Sequence, residues 1–159
     1  MLRKTVVSLI LLLMVVFTVP CAFIGELGAT YSYFIPQNAH MADVRFDALW
    51  GDSDGVSAGI VTTLGYGVEH FTRFGSNALI TGPGISVGPE VRLCINETVS
   101  ALASVQLYGA YPLYPTVLRA KASAEMRLSL SGSLFAGIGA GVLYPEWCAS
   151  LSLVCGVRL

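Results

Sequence analysis

The chain has 159 residues, of which 54% are apolar and only 12% charged, with a formal net charge of −1. About a quarter of an ordinary soluble domain is charged, so water cannot be the only solvent of this surface. The near-neutral balance excludes a basic nucleic-acid binder, and the length suits a single domain.

Arg3 and Lys4 precede an apolar run, Thr5 to Val19, and Pro20, Cys21 and Ala22 follow it. A basic start, an apolar centre and small residues at the end predict a secretory signal over residues 1–22, cleaved near Cys21 or Ala22. A retained anchor and lipidation at Cys21 are the alternatives. The run is short for a helical span, and Thr18 and Pro20 fit a lipobox poorly. Loss of Arg3 and Lys4 leaves seven basic and ten acidic residues, a net charge of −3 for residues 23–159.

The remainder reads as eight strands. From Phe23 to Ile35, Leu27, Ala29, Tyr31, Tyr33 and Ile35 alternate with Glu26, Gly28, Thr30 and Ser32. Pro36 to His40 is read as a turn. Met41 to Gly51 sets Val44, Phe46, Ala48 and Trp50 against Asp43, Arg45 and Asp47, and Gly51-Asp52-Ser53-Asp54-Gly55 has the residue types of a tight turn. Val56 to Phe71 forms the third strand, and Thr72 to Pro83 is expected as the longest loop. The fourth, Gly84 to Ile95, contains Pro89, where a bulge is expected because proline cannot donate to a ladder. Val99 to Tyr111 is the fifth. Across Val117 to Leu130 the alternation is unbroken: Leu118, Ala120, Ala122, Ala124, Met126, Leu128 and Leu130 against Arg119, Lys121, Ser123, Glu125, Arg127 and Ser129. Leu134 to Tyr144 and Cys148 to Leu159 complete the set. No segment after the signal sustains helical periodicity.

These strands are long. A strand in a soluble sheet averages about five or six residues, whereas a tilted strand crossing a bilayer needs about nine to eleven. An open sheet edge cannot sit in hydrocarbon, so the fold class is all-β: an eight-stranded antiparallel up-and-down transmembrane barrel, apolar side to lipid. The charges agree with that orientation. Glu26, Asp43, Asp47, Glu69, Glu90 and Glu125, with Arg45, Arg92, Arg119, Lys121, Arg127 and Arg158, all have the inward parity. Asp43, Arg45, Asp47, Glu90, Arg92, Arg119, Lys121, Glu125 and Arg127 are therefore expected to form an ion-pair network filling a narrow lumen. The inverted alternative, lipocalin-like with apolar residues inside, would have an exterior poor in charge and would strand its aromatic residues. Tyr31, Tyr33, Tyr66, Tyr111 and Tyr144 lie near one end of their strands and Trp50 near the other, as two interfacial girdles would.

Signal, eight alternating strands and an apolar closing row at Leu151, Leu153, Cys155, Val157 and Leu159 resemble the small outer-membrane barrels of the OmpX, OmpA and OmpW type. The resemblance covers the whole mature chain by pattern and departs from it at Leu159, where such barrels typically end in an aromatic residue. It implies the bacterial outer membrane, with outer-membrane lipid and the barrel-assembly machinery as partners. The balanced interior and short loops favour a structural or surface-interacting role; the alternative is an OmpW-like conduit for small apolar solutes.

Catalytic signals are thin. Gly82-Pro83-Gly84 and Gly137-Ile138-Gly139-Ala140-Gly141 are followed by no helix to hold a phosphate. His70-Phe71-Thr72 resembles the lipid-facing His-x-Ser pair of lipid A deacylases, but threonine replaces the serine and Glu69 points the other way. An interfacial histidine is the favoured reading, deacylase activity the alternative. Cys94, Cys148 and Cys155 have no metal spacing, and Cys94 and Cys155 lie on opposite faces, against a bond between them. No cofactor, metal or enzymatic activity is expected. The candidate contact surface is the outer loop holding Arg73 and Phe74, because binding residues concentrate on loops held by a rigid scaffold.

Overall fold

The structure is a computed structural model that describes residues 22–35, 39–73, 76–110, 119–144 and 147–159, with 69–73, 76–81 and 110 described by backbone alone. The signal segment and Phe74 lie outside the described residues.

Eight strands are present among the described residues: β1 Ala22–Ile35, β2 Ala39–Gly51, β3 Val56–Arg73, β4 Ser76–Cys94, β5 Val99–Ala110, β6 Arg119–Ser129, β7 Leu134–Tyr144 and β8 Cys148–Arg158. Each pairs antiparallel with its chain neighbour, and β8 pairs with β1, so the barrel closes. Moving across register partners from Ala22 through Gly51, Ser57, Arg92, Leu102, Glu125, Gly139 and Ser152 returns to β1 at Ser32, ten residues further on. That even stagger keeps every inward residue facing in after a full circuit, and it tilts the strands.

Burial follows the alternation. On β2, Asp43, Arg45, Asp47 and Leu49 are buried, while Val44, Phe46 and Trp50 are exposed. Outward positions around the barrel carry exposed Leu27, Ile60, Leu64, Ile85, Val91, Val105, Leu128, Ile138, Leu151 and Leu153. Such a continuous apolar band is a lipid-facing surface, and the fold is that of a transmembrane β-barrel. The inverted alternative fails, because the charged row is the buried one. Aromatic side chains rim the band: Phe23 and Trp50 at the turn end, ring centroids 5.6 Å apart, and Tyr31, Tyr66, Tyr144 and Trp147 at the loop end. Tyr111 lies outside the described residues.

Two expectations are corrected. Thr72 to Pro83 is not a loop: β3 runs to Arg73, β4 starts at Ser76, and these two are register partners. Composition rich in Gly, Pro, Ser and Asn suggests a loop, but the two segments satisfy each other's backbone groups. Among the described residues β2 pairs with β3 as far as Glu69, and β5 with β4 as far as Ala110 opposite Gly84.

Pro89 makes no bulge. Val87↔Leu107 and Glu90↔Ser104 share one register, and only the bridges at Gly88 and Pro89 are missing. Cys94 N–H donates towards β3, to Gly55, and Ile95 N–H towards β5, to Val99. Odd positions of β4 therefore aim at β5, which is where Pro89 lacks its donor. Gly88 lets β5 stay close, since a Cβ there would lie 2.0 Å from the Val105 carbonyl oxygen.

The turn end is built by short side chains. Asp52 Oδ1 accepts from Asp54 N–H at 3.0 Å, and Asn96 Oδ1 from the N–H groups of Thr98 and Val99 at 2.9 and 2.8 Å.

Candidate functional site

The lumen holds most of the barrel's charge in layers. At the turn end Ile24, Leu49 and Phe135 are buried. Above them, strands β1, β2, β4, β6 and β8 supply the ionised side chains, while β3, β5 and β7 contribute mostly Gly, Ser and Thr. That division gives long side chains room: a Cβ on Gly137 would lie 3.1 Å from Arg127 Cγ and 3.0 Å from Val154 Cγ1.

Four of the ionised groups close a ring. Arg45 Nε donates to Asp47 Oδ1 at 2.7 Å, and Asp47 Oδ2 lies 2.8 Å from Arg127 Nη2. Arg127 Nε in turn donates to Glu125 Oε1, and Glu125 Oε2 accepts from Arg45 Nη1 at 2.8 Å. Because β2 and β6 are opposite in an eight-strand circuit, the ring spans the lumen. Arg45 also donates to Glu90 on β4, and Arg127 to Glu26 on β1. Glu26 Oε1 further accepts from Arg92 Nη1 at 2.8 Å and Arg158 Nε at 3.0 Å.

Four carboxylates thus face four guanidiniums and their formal charges cancel. Glu26 is 0% exposed, Asp47 and Glu90 1%, and Arg127 2%. The Arg127 guanidinium also sits 4.6 Å from the Phe135 ring centroid. Charge-assisted, multiply donated bonds in a low-dielectric interior hold geometry strongly, since removing one partner strands a buried charge.

The sequence-predicted residues divide. Asp47, Glu90, Glu125, Arg45, Arg92 and Arg127 meet in the network. Asp43 and Lys121 lie nearer the loop end, where they line a small cavity. Arg119 opens β6, further towards that end. Arg73 ends β3, and its side chain and Phe74 lie outside the described residues. Sequence reasoning put Glu26 and Arg158 on the inward face without naming them as members. The signal was their parity near the strand ends at which β1 meets β8, where they are direct register partners.

Phe34, Ala39, Met41, Tyr108, Leu143 and Cys148 form a buried, mainly apolar roof near the loop end. Tyr108 Oη donates to Met41 Sδ at 2.7 Å. Ionised groups consumed by one another and roofed by apolar side chains can brace a barrel and block a lumen. Among the described residues no set of three metal-binding side chains comes together.

No protein-family model matches the chain, and no curated protein matches it. Solved structures do. A barrel from the de novo design of transmembrane β-barrels is similar with a TM-score of 0.57, covering 86% of this chain and 95% of its own at 13% identity. The NanC porin gives a TM-score of 0.44 over 84% of this chain and 100% of its own at 10% identity. Ail, the attachment invasion locus protein of Yersinia pestis, gives 0.45 over 87% and 97% at 10% identity. At 13% identity the likeness to the designed barrel is one of fold, a membrane-spanning β-barrel.

Proposed function

We propose that this chain is an integral protein of the bacterial outer membrane whose closed barrel has a structural or surface-interaction role and carries out no reaction. The observation that supports this reading is the ion ring across the lumen, from Arg45 on β2 to Glu125 on β6. A barrel braced in this way is a rigid platform, and its loop end, the side that holds Arg73 and Phe74, is the surface it presents. Short turns after β2, β4 and β6 belong on the periplasmic side in this orientation. Outer-membrane lipid covers the apolar band, and the barrel-assembly machinery inserts the chain.

Expression in a Gram-negative host followed by membrane separation tests the reading. The expected result is sedimentation with the outer membrane, resistance to urea extraction, and no increase in entry of small apolar solutes into the cells. Recovery as a detergent-free soluble monomer would contradict the location. Facilitated entry of apolar solutes would replace the closed platform with a conduit.

A further inference from the structure

Between the ion ring and the apolar roof lies a cavity with about 20 Å³ open to the centre of a water molecule, lined by Thr30, Asp43, Lys121, Gln106 and Ser152 among others. One water needs about 10–15 Å³ by that measure, and two to four polar partners. The wall formed by β1 and β2 offers partners. Thr30 Oγ1, Ser32 Oγ and Asp43 Oδ1 are buried without a hydrogen-bond partner among the described residues, and their side chains belong to residues only 8%, 0% and 7% exposed. Thr30 and Asp43 are direct register partners, and Ser32 is opposite Ser152, which lines the cavity.

The opposite wall is already satisfied. Thr63 Oγ1 and Ser86 Oγ are 2.7 Å apart, Ser86 donates to Gln106 Oε1 at 2.7 Å, Gln106 Nε2 donates to Ser104 Oγ at 3.0 Å, and Ser104 meets Ser123 at 2.9 Å. Of the unpartnered groups, Thr30 and Asp43 line the cavity, and two unpartnered buried oxygens on one wall of a polar cavity call for a guest, because each alone would be a costly desolvated group.

Charge selects the guest. The eight-member network is neutral in itself, which leaves the Asp43 carboxylate and the Lys121 ammonium facing the same cavity without a direct ion pair among the described residues. A cation would be repelled by Lys121 and an anion by Asp43. A neutral molecule of this size that both donates and accepts is water.

The geometry points to an internal water site in which one ordered water donates to Asp43 Oδ1, meets the Thr30 hydroxyl and links Asp43 to Lys121 as a solvent-separated ion pair. The site gives the Thr30 and Asp43 side chains the partners they lack.

Water–protein cross-relaxation spectra of the full barrel in detergent micelles test this. Cross-peaks with the sign of a long-lived water are expected at the Thr30 and Asp43 amides, and should vanish in the double variant Asp43→Leu/Lys121→Met. Their absence from the unmodified protein would overturn the site, as would their survival in a folded double variant. The unfolding midpoint should shift equally in sodium chloride and choline chloride at matched ionic strength. A midpoint raised by sodium alone would put a cation there instead.

Discussion

Arg45 Nη1 on β2 donates to Glu125 Oε2 on β6 at 2.8 Å, joining opposite walls of the barrel through its centre. Strand pairing alone cannot make this connection, because each ladder ties only neighbours together. The bond therefore resists flattening of the barrel cross-section, a deformation the ladders tolerate.

Removing one end of it should be costly. Arg45→Ala or Glu125→Ala is expected to destabilise the barrel by about 3 to 5 kcal/mol, because the partners stay buried and unpaired. Arg45→Lys should not rescue it, since one compact ammonium cannot serve Asp47, Glu90 and Glu125 as a guanidinium fork does. The double variant Arg45→Ala/Glu125→Ala should cost less than the sum of its singles, by about 0.5 to 3 kcal/mol. Urea unfolding in lipid vesicles measures all four, and additive singles would show that the pair is not coupled.

The two faces should respond oppositely to charge. Val91→Arg or Ala122→Arg introduces a charge on the lipid face and should cost about 2 to 4 kcal/mol near mid-membrane. Ser123→Arg, on the lumen side, should cost less. Equal losses in the same unfolding assay would mean that inside and outside are wrongly assigned.

Much of this architecture is legible in the order of the residues. Period two across Val117 to Leu130, and the parity of charge elsewhere, yield the strand number and the face of each side chain, because lumen and lipid demand opposite chemistry. Pairing partners are a different matter: parity puts Glu26 inside, but that it gathers Arg92, Arg127 and Arg158 depends on stagger and tilt. Local composition misleads at Thr72 to Pro83, where hairpin pairing overrides loop-forming residue types. The lack of a bulge at Pro89 turns on which neighbour its missing donor would face, a fact of register. The roof of Phe34, Met41 and Leu143 obeys the same parity, but apolar residues on an inward face stand against a pattern whose inward signal is charge.

Glycine positions separate backbone demands from packing. Gly51 has φ +152°, and a Cβ there would lie 2.5 Å from the Val56 carbonyl oxygen, so Gly51→Ala should destabilise by about 1 kcal/mol or more. Gly109, where an added Cβ meets nothing within 4 Å, should accept alanine nearly without loss. Unfolding midpoints of the two variants provide the comparison, and a Gly51→Ala barrel as stable as the parent would refute the turn geometry.

Cys155 reports on the lipid face directly. It is exposed on β8 opposite Ala29, whereas Cys148 is buried inside the loop end. A spin label on Cys155, with the other cysteines replaced by alanine, should collide freely with oxygen and poorly with a polar nickel complex in reconstituted vesicles. The reverse ranking would turn the strand around.

Single-channel recording in planar bilayers tests most directly the claim that the ion ring closes the lumen. The unmodified barrel should insert without steady conductance steps, whereas Glu125→Ala combined with Arg127→Ala, which opens the ring, should leak. A well-defined open channel in the unmodified protein would contradict the closed lumen.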